Sequence, residues 1–82
     1  MKLIILSPEK EVFTGEVSSV KVPGTAGQFE VLNNHAPLVS SLNAGEIRII
    51  EAGGNRTTYT IGSGFIEVLN NSVSIAVQGI AN

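Results

Sequence analysis

Apolar residues recur at every second position through much of this chain. Val20 and Val22 flank Lys21, Phe29 and Val31 flank Glu30, and Tyr59 and Ile61 flank Thr60. Val73, Ile75 and Val77 alternate with Ser72, Ser74 and Ala76. A period of two belongs to a strand with one buried face, and no segment carries the recurrence of an amphipathic helix. Between these runs stand turn signals at short, even spacing: Ser7-Pro8-Glu9, Thr14-Gly15, Pro23-Gly24 with Gly27, Asn43-Ala44-Gly45, Ala52-Gly53-Gly54-Asn55 and Asn70-Asn71. Gly and Asn accept the positive φ of tight hairpins, so they mark the turns. Many short strands at this spacing predict a sandwich or a barrel.

Two segments depart from the alternation. Leu3–Leu6 and Ile47–Ile50 are apolar at nearly every position, which predicts strands covered on both faces, by the core and by either the folded-over end of the domain or a partner. The stretch from Asn33 to Gly45 is the least strand-like. Pro37 cannot donate a ladder hydrogen bond and holds Ala36 extended, so a long connection with a short strand inside it is expected.

Length confines these strands to one domain, residues 1–82. A chain this short buries only roughly 60–65% of its unfolded surface, so the core is thin. No cysteine is present to staple it, which also removes thiolate metal sites and a cysteine nucleophile and fits a reducing, intracellular setting. The opening Met1–Leu6 stops at Ser7-Pro8-Glu9-Lys10, short of the about 7–15 apolar residues of a signal h-region, and is read as the first strand. No stretch approaches the roughly 20 apolar residues of a membrane-spanning helix. The net charge of −2 argues against nucleic acid. Charged residues make up 15% of the chain while apolar ones reach 43%, which fits either a surface filled by Ser, Thr, Asn and Gly or apolar surface covered by a partner.

Catalytic chemistry is sparse. All seven acidic residues are glutamates, so the calcium loop, the aspartate of a Ser-His-Asp triad and the magnesium-holding aspartates are missing. His35 is the single histidine, too few for a zinc site, and it reads as an imidazole that ties a loop together. Gly62-Ser63-Gly64 begins like a dinucleotide fingerprint, but Glu67 holds the third glycine's place. These glycines are read as a bend or a close approach of neighbouring backbone. Asn55-Arg56-Thr57 and Asn70-Asn71-Ser72 match the glycosylation sequon by chance. The chain is expected to be no enzyme and to bind no cofactor or metal.

Read in order, Leu6-Ser7-Pro8-Glu9 through Val12-Phe13-Thr14-Gly15-Glu16-Val17, then Val22-Pro23-Gly24, Gly27-Gln28-Phe29 and Val31-Leu32, resemble the epsilon subunit family of F-type ATP synthases. Asn34-His35-Ala36-Pro37-Leu38 is the most specific piece, followed by Gly45-Glu46-Ile47-Arg48-Ile49 and Gly64-Phe65-Ile66-Glu67-Val68. The set covers essentially the full chain. Departures fall at Glu30 and Ser63, where the family favours glycine, at Asn33 and Ala44, where it favours proline, and at Gln28, usually acidic.

The resemblance implies an all-β, flattened β-sandwich of about ten short strands. It implies a non-catalytic rotor subunit that couples c-ring rotation, driven by protons or sodium ions, to the gamma subunit and the catalytic head. Such a subunit is peripheral to the membrane through its complex, on the cytoplasmic face of the bacterial inner membrane. Carried over by position, Gln28, Asn34 and His35, with Ser40 and Ser41 nearby, are expected to meet the polar loops of the c-ring. Val20, Val22 and Phe65 are the candidates for gamma. Family members commonly continue into an inhibitory helical hairpin. The chain is read as a short form without it, one that couples but does not brake. Two other readings stand beside this one. A free-standing β-sandwich adaptor explains the composition but not the ordered motifs, and a lipoyl- or biotinyl-type carrier would need Lys10 as its modifiable lysine.

Overall fold

The longest alternating run forms one continuous strand. In the computed structural model, which describes residues 1–81, β2 spans Glu11–Gly24 without a break at Thr14-Gly15. The turn expected there is absent because Gly15 pairs with Leu3 of β1 (Lys2–Leu6), and the Phe13 ring lies over the space a side chain would fill. The remaining strands are β3 (Gly27–Leu32), β4 (Leu38–Leu42), β5 (Gly45–Glu51), β6 (Arg56–Ile61), β7 (Ser63–Leu69) and β8 (Ser72–Gln78). Eight strands therefore stand where about ten were expected, since β2 alone serves both layers.

The strands form one ladder, folded on itself as a sandwich. One layer runs β1-β8-β7-β4, and the other is β6-β5-β2 with β3 on the far side of β2. β1 and β8 are parallel; every other pairing is antiparallel. The amino-terminal half of β2 pairs with β1, and its carboxy-terminal half pairs with β5 and β3. A register shift at Ser18 separates the halves. The extra residue bends the strand and resets its phase, so Val17 before the bulge and Val20 and Val22 after it all point inward. Ser18 Oγ donates to the Ile50 carbonyl across the bulge.

The core is drawn from the inward positions of both layers. Leu3, Ile5, Ile66, Val73 and Ile75 face Val20, Val22, Val31, Ile47 and Ile49. The two continuous apolar runs are covered on one face only. Leu3 and Ile5 are buried while Ile4 is half-buried and Leu6 exposed; Ile47 and Ile49 are buried while Arg48 is exposed. Nothing within the described residues supplies the second cover.

The expected close approach at Gly62-Ser63-Gly64 is present. A Cβ on Gly64 would stand 2.8 Å from the Ala76 carbonyl oxygen. Asn70 and Asn71 take φ of 52° and 60° between β7 and β8, a two-residue turn whose twist matches the strands.

Candidate functional site

The two outer faces of the sandwich differ in chemistry. On the β1-β8-β7-β4 face, strand register sets Leu6, Ala76, Phe65 and Ser41 in one row across four strands. The next row is Ile4, Ser74, Glu67 and Val39, and the third is Lys2, Ser72 and Leu69. Of the five exposed large apolar residues, Leu6, Val39, Phe65 and Leu69 lie on this face, and only Leu32 lies elsewhere. Small serine and alanine side chains on β8 leave a shallow depression between Leu6 and Phe65. The opposite face carries charge. Glu30, Lys21, Arg48 and Thr58 form a row across β3, β2, β5 and β6. Arg48 Nη2 donates to Glu46 Oε1 at 3.0 Å, and the Ser19 hydroxyl donates to Glu30.

The residues singled out from sequence separate into groups. Val20 and Val22 are at 0% exposure in the core and have no surface to offer gamma; of that trio, Phe65 at 48% does. The bulge at Ser18, which the sequence does not announce, is what turns both valines inward. Gln28 sits at the start of β3, opposite Pro23, at the tip of the β2–β3 hairpin. Asn34 and His35 follow the other end of β3, roughly 17 Å along the strand from Gln28's end by strand rise alone. Ser41 stands on the apolar face beside Phe65, while Ser40 points toward the core edge with its hydroxyl on the Ser41 carbonyl. The five residues expected at the ring are therefore not one contiguous patch.

The Asn34 backbone and His35 make internal bonds, while the Asn34 side chain is exposed. The Asn34 amide donates to Asn71 Oδ1 at 2.7 Å, with Asn34 itself at φ 63°. The His35 amide donates to the Leu32 carbonyl, and its Nδ1 to the Ala36 carbonyl at 2.7 Å. The His35 imidazole is thus bonded only to the adjacent residue, while its backbone amide closes the turn onto Leu32. The preceding Asn33 accepts the Met1 ammonium at 2.7 Å, which also donates to the buried Val17 carbonyl.

What the sequence reading missed is the apolar patch itself. Leu6, Val39 and Leu69 occupy outward phases of their strands, and an apolar side chain in the polar phase of an alternating strand was the available signal.

No group of three or more His, Asp or Glu among the described residues is placed to hold a metal ion. Among the described residues no helix is long and apolar enough to cross a membrane.

The sandwich thus presents one outer face rich in exposed apolar side chains and one crossed by a charged row. The whole chain, residues 1–82, matches the family described as ATP synthase, Delta/Epsilon chain, beta-sandwich domain. It is 43% identical over 75 residues to an ATP synthase epsilon chain of Leptospira interrogans, covering 92% of this chain and 58% of that one. It is 37% identical over 79 residues to the epsilon chain of Chlorobaculum tepidum, covering 96% of this chain and 90% of the relative. Among solved structures it superposes on a chain of the Euglena gracilis mitochondrial ATP synthase with a TM-score of 0.89 at 23% identity, over 96% of this chain and 51% of that one. A chain from the Tetrahymena thermophila mitochondrial ATP synthase central stalk and c-ring aligns with a TM-score of 0.83 at 19% identity, over 100% and 66%. The chain belongs to the ATP synthase delta/epsilon β-sandwich family. It spans about half the length of several curated relatives it matches.

Proposed function

We propose that this chain is a non-catalytic central-stalk subunit that couples rotation of an ion-driven c-ring to the gamma subunit. The observation that carries this reading is the asymmetry of the two faces. Four exposed apolar side chains on one sheet face form the centre of a surface that a partner of standard interface size, roughly 800 Å² on each side, would cover together with the polar residues around them. That face, centred on Phe65 with Leu6, Val39 and Leu69, is assigned to gamma. A hydrophobic seat suits a mechanical contact, because exposed ion pairs contribute only about 0–1 kcal/mol each and weaken with salt.

The β2–β3 hairpin tip with Gln28 is assigned to the polar loops of the c-ring. Gln28 is exposed there beside Gly27, with a neutral amide able to donate and accept. Asn34 and His35 remain with the loop that anchors the start of the chain. The subunit is peripheral to the membrane through its complex, on the cytoplasmic face of the bacterial inner membrane.

Co-purification from solubilised membranes tests the assignment: gamma is expected to accompany the chain, and its absence would refute the rotor reading. ATP-driven proton pumping by vesicles carrying Gln28→Ala tests the hairpin. Mildly weakened pumping with an intact fold is expected, and wild-type pumping would remove Gln28 from the interface.

A further inference from the structure

The hairpin tip overhangs the rest of its sheet. β5 pairs with β2 only as far as Lys21, so Val22, Pro23 and Gly24 have no β5 partner on that side. β3 pairs with β2 alone. What holds the overhang is the end of β4, in the opposite layer. The Thr25 amide donates to the Ser41 carbonyl at 3.1 Å, the Asn43 amide donates to the Pro23 carbonyl at 2.8 Å, and Gly24 pairs with Leu42. The fit is close: a Cβ on Gly24 would meet the Gly27 carbonyl oxygen and the Phe29 ring at 2.7 Å. Gly45, which follows this end of β4, has Pro23 against it so closely that a Cβ would stand 2.9 Å from the proline Cβ. Ser41, whose carbonyl takes the Thr25 amide, lies beside Phe65 on the apolar face.

We propose that the Ser41–Asn43 end of β4 is a clasp that transmits force between the hairpin tip and the apolar face. It is where the overhanging tip of the β2–β3 hairpin is bonded directly to the layer that carries Phe65, far along β2 from the pairing with β1. Two backbone hydrogen bonds with a packed proline between them resist displacement of the tip across the sheets in a way that a free two-stranded ribbon does not. Thr25, Pro23 and Asn43 are thus positioning residues. Through their backbone bonds and the proline packing they keep the two contact surfaces in a fixed relation. The inference rests on the rotor reading, which supplies a load at each end.

Thr25→Pro and Asn43→Pro each delete one clasp donor. Thr25 is the first central residue of its turn, where proline's fixed φ is accommodated, and Leu42 before Asn43 is already extended. Each variant is assembled into the complete complex, and three quantities are measured. Gamma recovery should match wild type, because the apolar face is untouched. Amide exchange should quicken about fivefold at Gly27–Phe29, as expected for one lost backbone bond, and stay unchanged at Ile66–Val68. Proton pumping per ATP hydrolysed should fall. Faster exchange with undiminished pumping would overturn the clasp, and so would unchanged exchange in both variants. Loss of gamma from the variants alone would also overturn it, whereas absence of gamma from the wild-type preparation would strike the rotor reading itself.

Discussion

Replacing Phe65 by serine is the sharpest probe of the apolar face. A phenylalanine side chain presents roughly 200 Å² when fully exposed, and Phe65 keeps 48% of its surface open, so about 100 Å² is available for a partner to cover. At about 25 cal/mol per Å² that area is worth about 2.5 kcal/mol of association. Since about 1.4 kcal/mol is a tenfold change, Kd for gamma should weaken roughly sixtyfold. The other half of the ring already packs on the sheet, so the variant also loses fold stability, and thermal melts must show it folded at the assay temperature. Leu32→Ser is the matched control. Leu32 is 52% exposed, but it lies on β3, away from the β1-β8-β7-β4 face, so its loss should leave Kd unchanged. Titration calorimetry against purified gamma reads both. A change under threefold for Phe65→Ser, or equal weakening in both variants, would refute the assignment of this face.

Three further outcomes follow from the fold. Gly64→Val drives side-chain atoms against the Ala76 carbonyl, 2.8 Å from the Cβ position, and against Ile61 and Leu42; a loss of about 1–3 kcal/mol in urea unfolding is expected, and a neutral result would deny the close strand approach. Asn71→Ala leaves φ 60° to a residue without the short polar side chain that lets asparagine tolerate the left-handed region, and deletes the acceptor of the Asn34 amide, so about 2 kcal/mol should be lost, with exchange at Asn34 quickening first. Burial raises the Tyr59 phenol above its ordinary 10.0, with Glu51 adding to the effect. The unfolded chain ionises first, so the stabilisation is complete below pH 10.0 and is lost as pH rises through the raised folded value. Tyr59→Phe should therefore flatten the alkaline decline in unfolding midpoint, and parallel declines would exonerate the phenol.

Under the rotor role proposed above, the domain would work under load. A part that passes torque between two neighbours needs rigidity between its contacts more than affinity at either one. In the fold, β2 joins the two layers without a loop, since a single backbone enters both. The bulge at Ser18 lets it turn the corner while both halves keep their ladder bonds.

Much of the fold was legible in the residues alone. Alternation marked the inward positions of β6 and β8, and the Gly and Asn punctuation located the turns at Gly27, Gly45, Gly54 and Asn70-Asn71. The short strand inside Asn33–Gly45 followed from Pro37 and its neighbours. The absence of aspartate, cysteine and a second histidine left little material for catalysis, and the ordered motifs named the family. Local pattern carries this information because side-chain periodicity and turn geometry are properties of a few adjacent residues. Tertiary structure decided the rest. Gly15 looked like a turn and became the middle of a strand, because Leu3 lies opposite it and Phe13 covers it. Val20 and Val22, whose alternation with Lys21 suited a core face as well as a partner, went into the core, and the bulge at Ser18 keeps them in phase with Val17. Leu6, Val39, Phe65 and Leu69 come from strands far apart in the chain, and only the pairing of β1, β8, β7 and β4 brings them to one face. Which side of a strand is outside, and which strands share that side, depends on contacts between distant residues, and no local period encodes them.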